Sequence, residues 1–218
     1  MYLNDSEEQT PLEKKLLRCM EFHAVLDEIW DVLPPPEGKR EIAIAGFCRG
    51  VRELVHGQCM LLVTGHSLAA MTLIRPAFEN LLKAIWAVQG ASDAWVERFL
   101  TPPPTAEVKE TAHQLSIKEL LEDIKKHHPA HIYKMLQEFN DATIKAMHSF
   151  VHGGIYSVTH ALVDIPEQQQ VNLMLNSNGF LIMALNVIFM PFGGAKGELT
   201  KLQQEFSDCL PPVTYARH

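Results

Sequence analysis

One stretch decides the fold of this 218-residue chain, residues 68–89, which read LAAMTLIRPAFENLLKAIWAVQ. Apolar side chains occupy most of the circumference of a helix built from this stretch. Such a helix is stable only when other elements surround it, because its apolar surface must be removed from water. The stretch therefore predicts a central helix with the rest of the chain packed around it.

The remaining sequence repeats the helical signature, and strand patterns are scarce. Thr10-Pro11-Leu12-Glu13 is a capping box with proline at the first helical position. The proline runs at 34–36 and 102–104 are short enough to be connections inside one domain. We expect an all-α, single helical domain over residues 1–218, with a loose tail at 210–218. It would be a bundle of about five long helices plus short accessory helices. After the first helix, the others are expected at about 39–62, 68–89, 91–100, 116–128, 129–152, 155–162, 167–190 and 195–209.

The charge, the cysteines and the hydropathy of the chain exclude several classes of protein. The formal net charge of −7 argues against nonspecific DNA coating, because Lys and Arg drive phosphate binding. The four cysteines have no CxxC spacing and no secretory signal precedes them, which predicts reduced, buried thiols and a cytoplasmic protein. The most apolar run, 180–192, is interrupted by Asn186 and Pro191 and is too short to span a bilayer, so no membrane partner is expected. Its part at 180–190 is expected to contribute to a homodimer.

The central stretch carries a charged pair. Arg75 and Glu79 are four residues apart, so both emerge on one face of a helix. A charged pair on a central helix is partly buried and needs partners. Pro76 lies between them and removes the amide that would bond Thr72, an irregularity typical of strained or functional positions. Two interpretations stay open: a structural ion pair that ties this helix to a neighbour, or part of a polar site.

A second polar cluster is Met147-His148-Ser149-Phe150-Val151-His152-Gly153-Gly154. His148 and His152 share one helical face, and the two glycines stop the helix. Three roles fit this pattern: two ligands of one metal ion, a general acid or base, or packing at a helix terminus. Eleven histidines give about half of one such pair by chance, and a second pair exists at His127 and His131, so the spacing alone does not indicate a metal.

Two further patterns are weaker. Arg49-x6-His56 fits the Arg-x(4–6)-His spacing of a class of metal-independent helical ribonucleases, but about one such match is expected by chance. His127-His128-x-x-His131, beside Lys125 and Lys126, forms a basic patch typical of the C-terminal turn of a helix.

Together, Arg75-x-x-x-Glu79 and Phe150-Val151-His152-Gly153-Gly154 resemble elements of uncharacterised bacterial all-helical proteins at the fringe of the HEPN-like (higher eukaryotes and prokaryotes nucleotide-binding) superfamily. The resemblance covers residues 39–160. It implies a metal-independent RNA-cleaving, or nucleotide- or RNA-binding, component of a bacterial stress or defence system, without a cofactor. Active members use an arginine and a histidine on one late helix, usually across a dimer interface. Here no arginine lies four to six residues before His152, so either Arg75 supplies that contact in space or the contact is missing.

The resemblance implies a role for each candidate residue. His152 would act as general acid or base at a ribose 2′-hydroxyl or a leaving oxygen. Arg75 would neutralise the phosphate, and Glu79 would orient Arg75 or His152. Tyr156, one turn beyond His152 if the helix resumes, would supply a hydroxyl donor.

Two other functions are compatible with the same residues. The first is a non-enzymatic dimeric helical module, whose polar pocket recognises a nucleotide or small anion or only fixes helix packing. The second is a metal-dependent helical-bundle enzyme that uses His66, His148 and His152.

Overall fold

The computed structural model describes residues 9–101, 115–190 and 196–212, and within these ranges the chain is helical without strands. The predicted all-α class is confirmed, whereas the single domain, the number of long helices and their bundle arrangement stay predictions. The connection at 102–104 and most of the predicted loose tail lie outside the described residues. The helices are α1 Pro11–Asp31, α2 Lys39–Val63, α3 Ser67–Thr72, α4 Ile74–Gln89, α5 Asp93–Leu100, α6 Ile117–His127, α7 Ala130–Val151, α8 Ile155–Leu162, α9 Glu167–Phe189, α10 Lys196–Glu205 and a 3-10 helix, Ser207–Cys209.

Helix α4 is central, as its apolar circumference predicts. It packs against α2, α9, α6 and α7. Phe78 is fully buried, and its ring centroid lies 4.9 Å from that of Phe139 on α7 and 5.6 Å from that of Phe180 on α9. Burial of one such ring contributes about 1.5–3 kcal/mol to stability. These contacts fix α4 against α7, which sets the relative position of the polar side chains on both helices.

The stretch 68–89 is not one continuous helix, and this expectation was wrong. The chain breaks at Leu73, which ends α3 and caps α4. The reason is Pro76, which has no amide hydrogen to donate to the Thr72 carbonyl. The α4 pattern begins with the Ala77 amide, which donates to the Leu73 carbonyl at 3.1 Å. Arg75 therefore lies in the first turn of α4, and Glu79 lies one turn later.

Helix α9 is a core helix of the chain. Most side chains between positions 180 and 188 are buried, so the run predicted to support a homodimer is covered by the chain's own helices. By length and composition α9 is apolar enough to cross a membrane, yet 61% of its apolar window is buried against the rest of the chain. A core helix satisfies the same criterion.

The two glycines after α7 have separate structural reasons. Gly153 adopts φ +66°, a left-handed conformation that costs a side-chain-bearing residue energy. The Gly154 amide then donates to the Ser149 carbonyl at 2.8 Å, which closes the helix end. A Cβ on Gly154 would lie 2.6 Å from the Ser149 hydroxyl oxygen, which instead accepts from the Tyr156 amide at 2.9 Å. This turn fixes His152 at the end of α7 and starts α8 in a new direction.

A buried polar network joins α1, α9 and the 3-10 helix. The His23 Nε2 atom lies 2.8 Å from the Asn178 Oδ1 atom, and both residues are buried. The Asn178 amide nitrogen donates to the Cys209 carbonyl at 2.9 Å and to the Cys19 sulfur at 3.3 Å. The four cysteines, Cys19, Cys48, Cys59 and Cys209, are free and buried.

Candidate functional site

Four polar side chains meet where α4 and α7 face each other, and the cluster is centred on Arg75. The Arg75 Nε atom donates to the Glu79 Oε1 atom at 2.9 Å. The Arg75 Nη1 atom lies 2.8 Å from the His148 Nδ1 atom and 3.4 Å from the His152 Nε2 atom. The two imidazole centroids are 4.4 Å apart. The structure therefore brings together a guanidinium, a carboxylate and two imidazoles from two helices.

The hydrogen bonds define which ring nitrogens carry protons. A guanidinium has only donors, so the nitrogens of His148 and His152 that face Arg75 act as acceptors. In this arrangement each ring carries a hydrogen on the opposite nitrogen. The two hydrogens of Arg75 Nη1 serve the two rings, and Nε serves Glu79. The Arg75 Nη2 atom has no acceptor among the described residues, so two N–H groups of the cation remain available to a ligand.

Local sequence explains the position of each group. The Pro76 break puts Arg75 in the first turn of α4, and Glu79 follows at the i+4 position, where it holds the guanidinium. His148 lies in the last turn of α7 and His152 caps it, because Gly153 ends the helix there. The two i,i+4 pairs meet because α4 and α7 pack together through Phe78 and Phe139.

The site is accessible to solvent. His148 and His152 are exposed, and the side chains of Arg75 and Glu79 are 23% and 34% exposed. Arg75 and Glu79 also line a groove of about 890 Å³ between α4, α6 and α7, which we call the Arg75 groove. A ligand in this groove would therefore contact the side chains of Arg75 and Glu79.

Tyr156 is not part of this cluster, contrary to expectation. Its ring lies 6.2 Å from the Phe150 ring, and its hydroxyl makes no hydrogen bond to other described residues. The prediction placed Tyr156 one turn beyond His152 on the condition that the helix resumed after the glycines. The left-handed Gly153 turns the chain instead, so α8 leaves in another direction.

The three histidines of the metal alternative are not assembled. His66 lies in the turn between α2 and α3, where its Nδ1 atom is 3.1 Å from the Thr64 hydroxyl. His148 and His152 instead face Arg75. Across the described ranges, no group of three or more His, Cys, Asp or Glu side chains is placed to hold a metal ion.

The weaker sequence patterns have structural explanations. His56 does not pair with Arg49: its ring stacks on the His23 ring at 4.7 Å, and its Nε2 atom lies 3.6 Å from the Asp27 Oδ1 atom. The arginine of that cluster is Arg52, whose Nε atom donates to Asp27 at 2.7 Å. The His127 ring nitrogen lies 2.9 Å from the Asp123 carbonyl, as in a capped helix end.

Sequence reasoning assigned His152 the main role and missed two features. His148 is closer to Arg75 than His152 is, and the i,i+4 spacing of the two histidines was the available signal. Helix α8 is apolar but has no buried residue, and its run of uncharged residues was the signal for that.

The fold and site define an all-α protein with an Arg-Glu-His-His cluster at the contact of two helices. Residues 48–212 match a family of unknown function, DUF6988, and the chain belongs to that family. The matched region includes all four side chains of the cluster. Comparison with curated proteins and with solved structures found no match.

Proposed function

We propose that this protein is a HEPN-like, metal-independent RNA-cleaving or RNA-binding component of a bacterial stress or defence system, acting in the cytoplasm. One observation carries the proposal: Arg75 lies within hydrogen-bond distance of both His148 and His152 and keeps two N–H groups free among the described residues. A cation for a phosphate and an imidazole for proton transfer are the groups that RNA cleavage by the 2′-hydroxyl requires.

The reaction can be written with the chain's own side chains. The free Nη2 edge of Arg75 binds the non-bridging oxygens of the scissile phosphate, with Glu79 holding the guanidinium plane. The His152 Nε2 atom, which has the longer contact with Arg75, exchanges that contact for the 2′-hydroxyl and accepts its proton as the 2′-oxygen bonds to phosphorus. The bond from phosphorus to the 5′-oxygen breaks, and an imidazole returns a proton to that oxygen. The products are a 2′,3′-cyclic phosphate and a 5′-hydroxyl, with no net proton gained or lost.

Replacing either imidazole tests the proposal. We expect His152→Ala and His148→Ala each to lower the cleavage rate of single-stranded RNA by about 10²–10⁴-fold, because a positioned acid or base contributes that much. The measurement is the initial rate on a labelled RNA, with the product ends identified. His131→Ala is the control, since His131 is an exposed histidine on the same helix outside the cluster. Equal rates for the wild type and both site variants would contradict the cleavage proposal.

A second candidate function is a dimeric binding module, and α8 favours it. Ile155 and Leu162 are 73% and 83% exposed, and Val151, Val158 and Val163 are exposed beside them. The segment 151–163 carries no Asp, Glu, Lys or Arg, so two copies of this acidic chain can approach there without like charges meeting. We propose a second copy of the chain as its occupant, with the same face buried on both protomers.

Self-association through α8 is directly measurable. We expect a dimer mass by light scattering for the wild type and a monomer mass for a variant with Ile155→Lys and Leu162→Lys. Thermal stability should change little, because both side chains are exposed in the single chain. Val32→Lys is the matched control, since Val32 is 80% exposed on a different part of the surface. A wild-type monomer would rule out this use of α8.

A further inference from the structure

The Arg75 groove continues well beyond Arg75. Helices α4 and α7 run antiparallel: Arg75 contacts His148 near the end of α7, whereas Phe78 contacts Phe139 earlier in α7. Lys83, two turns after Arg75, and Asn140, two turns before His148, both line the groove. Eight residues separate Lys83 from Arg75 along α4, which corresponds to about 12 Å. Asn140 follows Phe139, whose ring contacts Phe78, so Asn140 lies between the levels of Arg75 and Lys83.

Both of these side chains have unused hydrogen-bonding capacity. Lys83 is half-buried, and no other described residue forms an ion pair or hydrogen bond with its ammonium group. The Asn140 Oδ1 atom is buried and has no hydrogen-bond partner. A buried polar atom without a partner costs about 1–3 kcal/mol, which a ligand that donates to it would recover. The groove thus offers the cation of Lys83 and the acceptor of Asn140 to the same ligand.

The carboxylates of the groove do not cancel this cation. Glu79 is bonded to Arg75, and the Glu119 carboxylate accepts from the Ser116 amide at 2.8 Å in the cap of α6. Glu122 is exposed at the edge of the groove and is the remaining lining carboxylate. Lys118 on α6 is exposed and also lines the groove, so three cations face these three carboxylates, and Arg75 and Lys83 are the two on α4.

We propose that Lys83 and Asn140 form a second nucleotide subsite, so that the ligand of the groove is a single-stranded RNA of about four nucleotides or more. This inference rests on the proposed function. A stacked strand advances about 3.4 Å per nucleotide, so 12 Å corresponds to between three and four steps. Lys83 binds a backbone phosphate at that distance from the one held by Arg75. The Asn140 side chain turns its buried Oδ1 atom toward the bound strand and accepts a hydrogen bond from an N–H of the base or from a ribose hydroxyl.

The test measures binding apart from cleavage. The probes are 2′-O-methyl RNA oligomers of two and eight nucleotides, which lack the attacking hydroxyl. Their binding is measured by fluorescence anisotropy at several salt concentrations. For the octamer, Lys83→Met should weaken binding about fivefold at 0.1 M salt and reduce the salt slope by about 0.7, the value for one phosphate of a single strand. Binding of the dinucleotide should not change. Lys201→Met, at an exposed lysine on α10, controls for loss of one charge.

A second variant separates recognition from folding. Asn140→Leu removes the unpartnered acceptor, so the free protein should be as stable as the wild type or more stable, while octamer affinity falls. Glu122→Gln should strengthen octamer binding.

The outcomes distinguish the two proposals. If Arg75→Ala weakens octamer binding but Lys83→Met and Asn140→Leu do not, the second subsite is wrong and the Arg75 site stands. If the wild type binds neither oligomer, both proposals fail.

Discussion

Replacing Arg75 with alanine is expected to lower RNA cleavage by about 10²–10³-fold or more, because a preorganised charge at the reacting phosphate contributes that much to catalysis. The side chain also bonds Glu79, His148 and His152, so its loss removes the group that orients both imidazoles. Arg75→Lys should restore little, since an ammonium group lacks the planar fork that reaches three partners at once. The measurement is kcat/KM on single-stranded RNA.

If Arg75 only forms a structural ion pair, the expected results differ. The Arg52–Asp27 pair is the comparison for this case. The Arg52 Nε atom donates to Asp27 at 2.7 Å and its side chain is 25% exposed, which closely matches Arg75 with Glu79. If both arginines only tie helices together, Arg75→Ala and Arg52→Ala should lower the melting temperature to a similar extent and leave cleavage intact. We expect Arg52→Ala to retain cleavage and Arg75→Ala to lose it.

The site could be predicted in part because its two halves are local patterns. The i,i+4 spacing places Arg75 with Glu79 and His148 with His152, and a sequence shows such spacings directly. The two pairs meet because α4 packs against α7 through Phe78 and Phe139. These two residues are 61 positions apart in the chain, so their contact is not visible as a local pattern. Hydrophobic periodicity shows that each helix has a buried face but does not name the helix that covers it.

The predictions from sequence were wrong at turns, because the backbone conformation of one residue sets the direction of the helix that follows it. The Pro76 irregularity was noticed, but a continuous helix was still drawn through Leu73. Gly153 was recognised as a helix stop, and the role of Tyr156 depended on the helix resuming one turn beyond His152. The sign of φ at Gly153 determines the direction of α8, and a glycine adopts either sign at little cost.

Acidification is expected to destabilise the fold through His23 on α1. The pKa of His23 is lowered to about 4, mainly by burial and in smaller part by the nearby His56 ring, although the Asn178 hydrogen bond and Asp27 act in the opposite direction. Between pH 6.5 and 4 the unfolded chain therefore binds a proton that the folded chain does not. The free energy of unfolding should fall by about 3 kcal/mol over this range, since each pH unit corresponds to about 1.4 kcal/mol. Urea unfolding at several pH values measures it.

The hydrogen-bond network identifies the variant that isolates this effect. The Asn178 amide donates to the Cys209 carbonyl, so its Oδ1 atom is the acceptor and His23 Nε2 must carry the hydrogen. His23→Gln keeps a donor for Oδ1 but cannot titrate, and its free energy of unfolding should vary much less between pH 6.5 and 4.5. Some slope should remain, because burial also lowers the pKa of His56. Replacing the exposed His131 with glutamine should leave the wild-type profile unchanged. If His23→Gln loses stability as steeply as the wild type, the acid sensitivity comes from carboxylates whose ionised form the fold stabilises, and the buried imidazole is not its source.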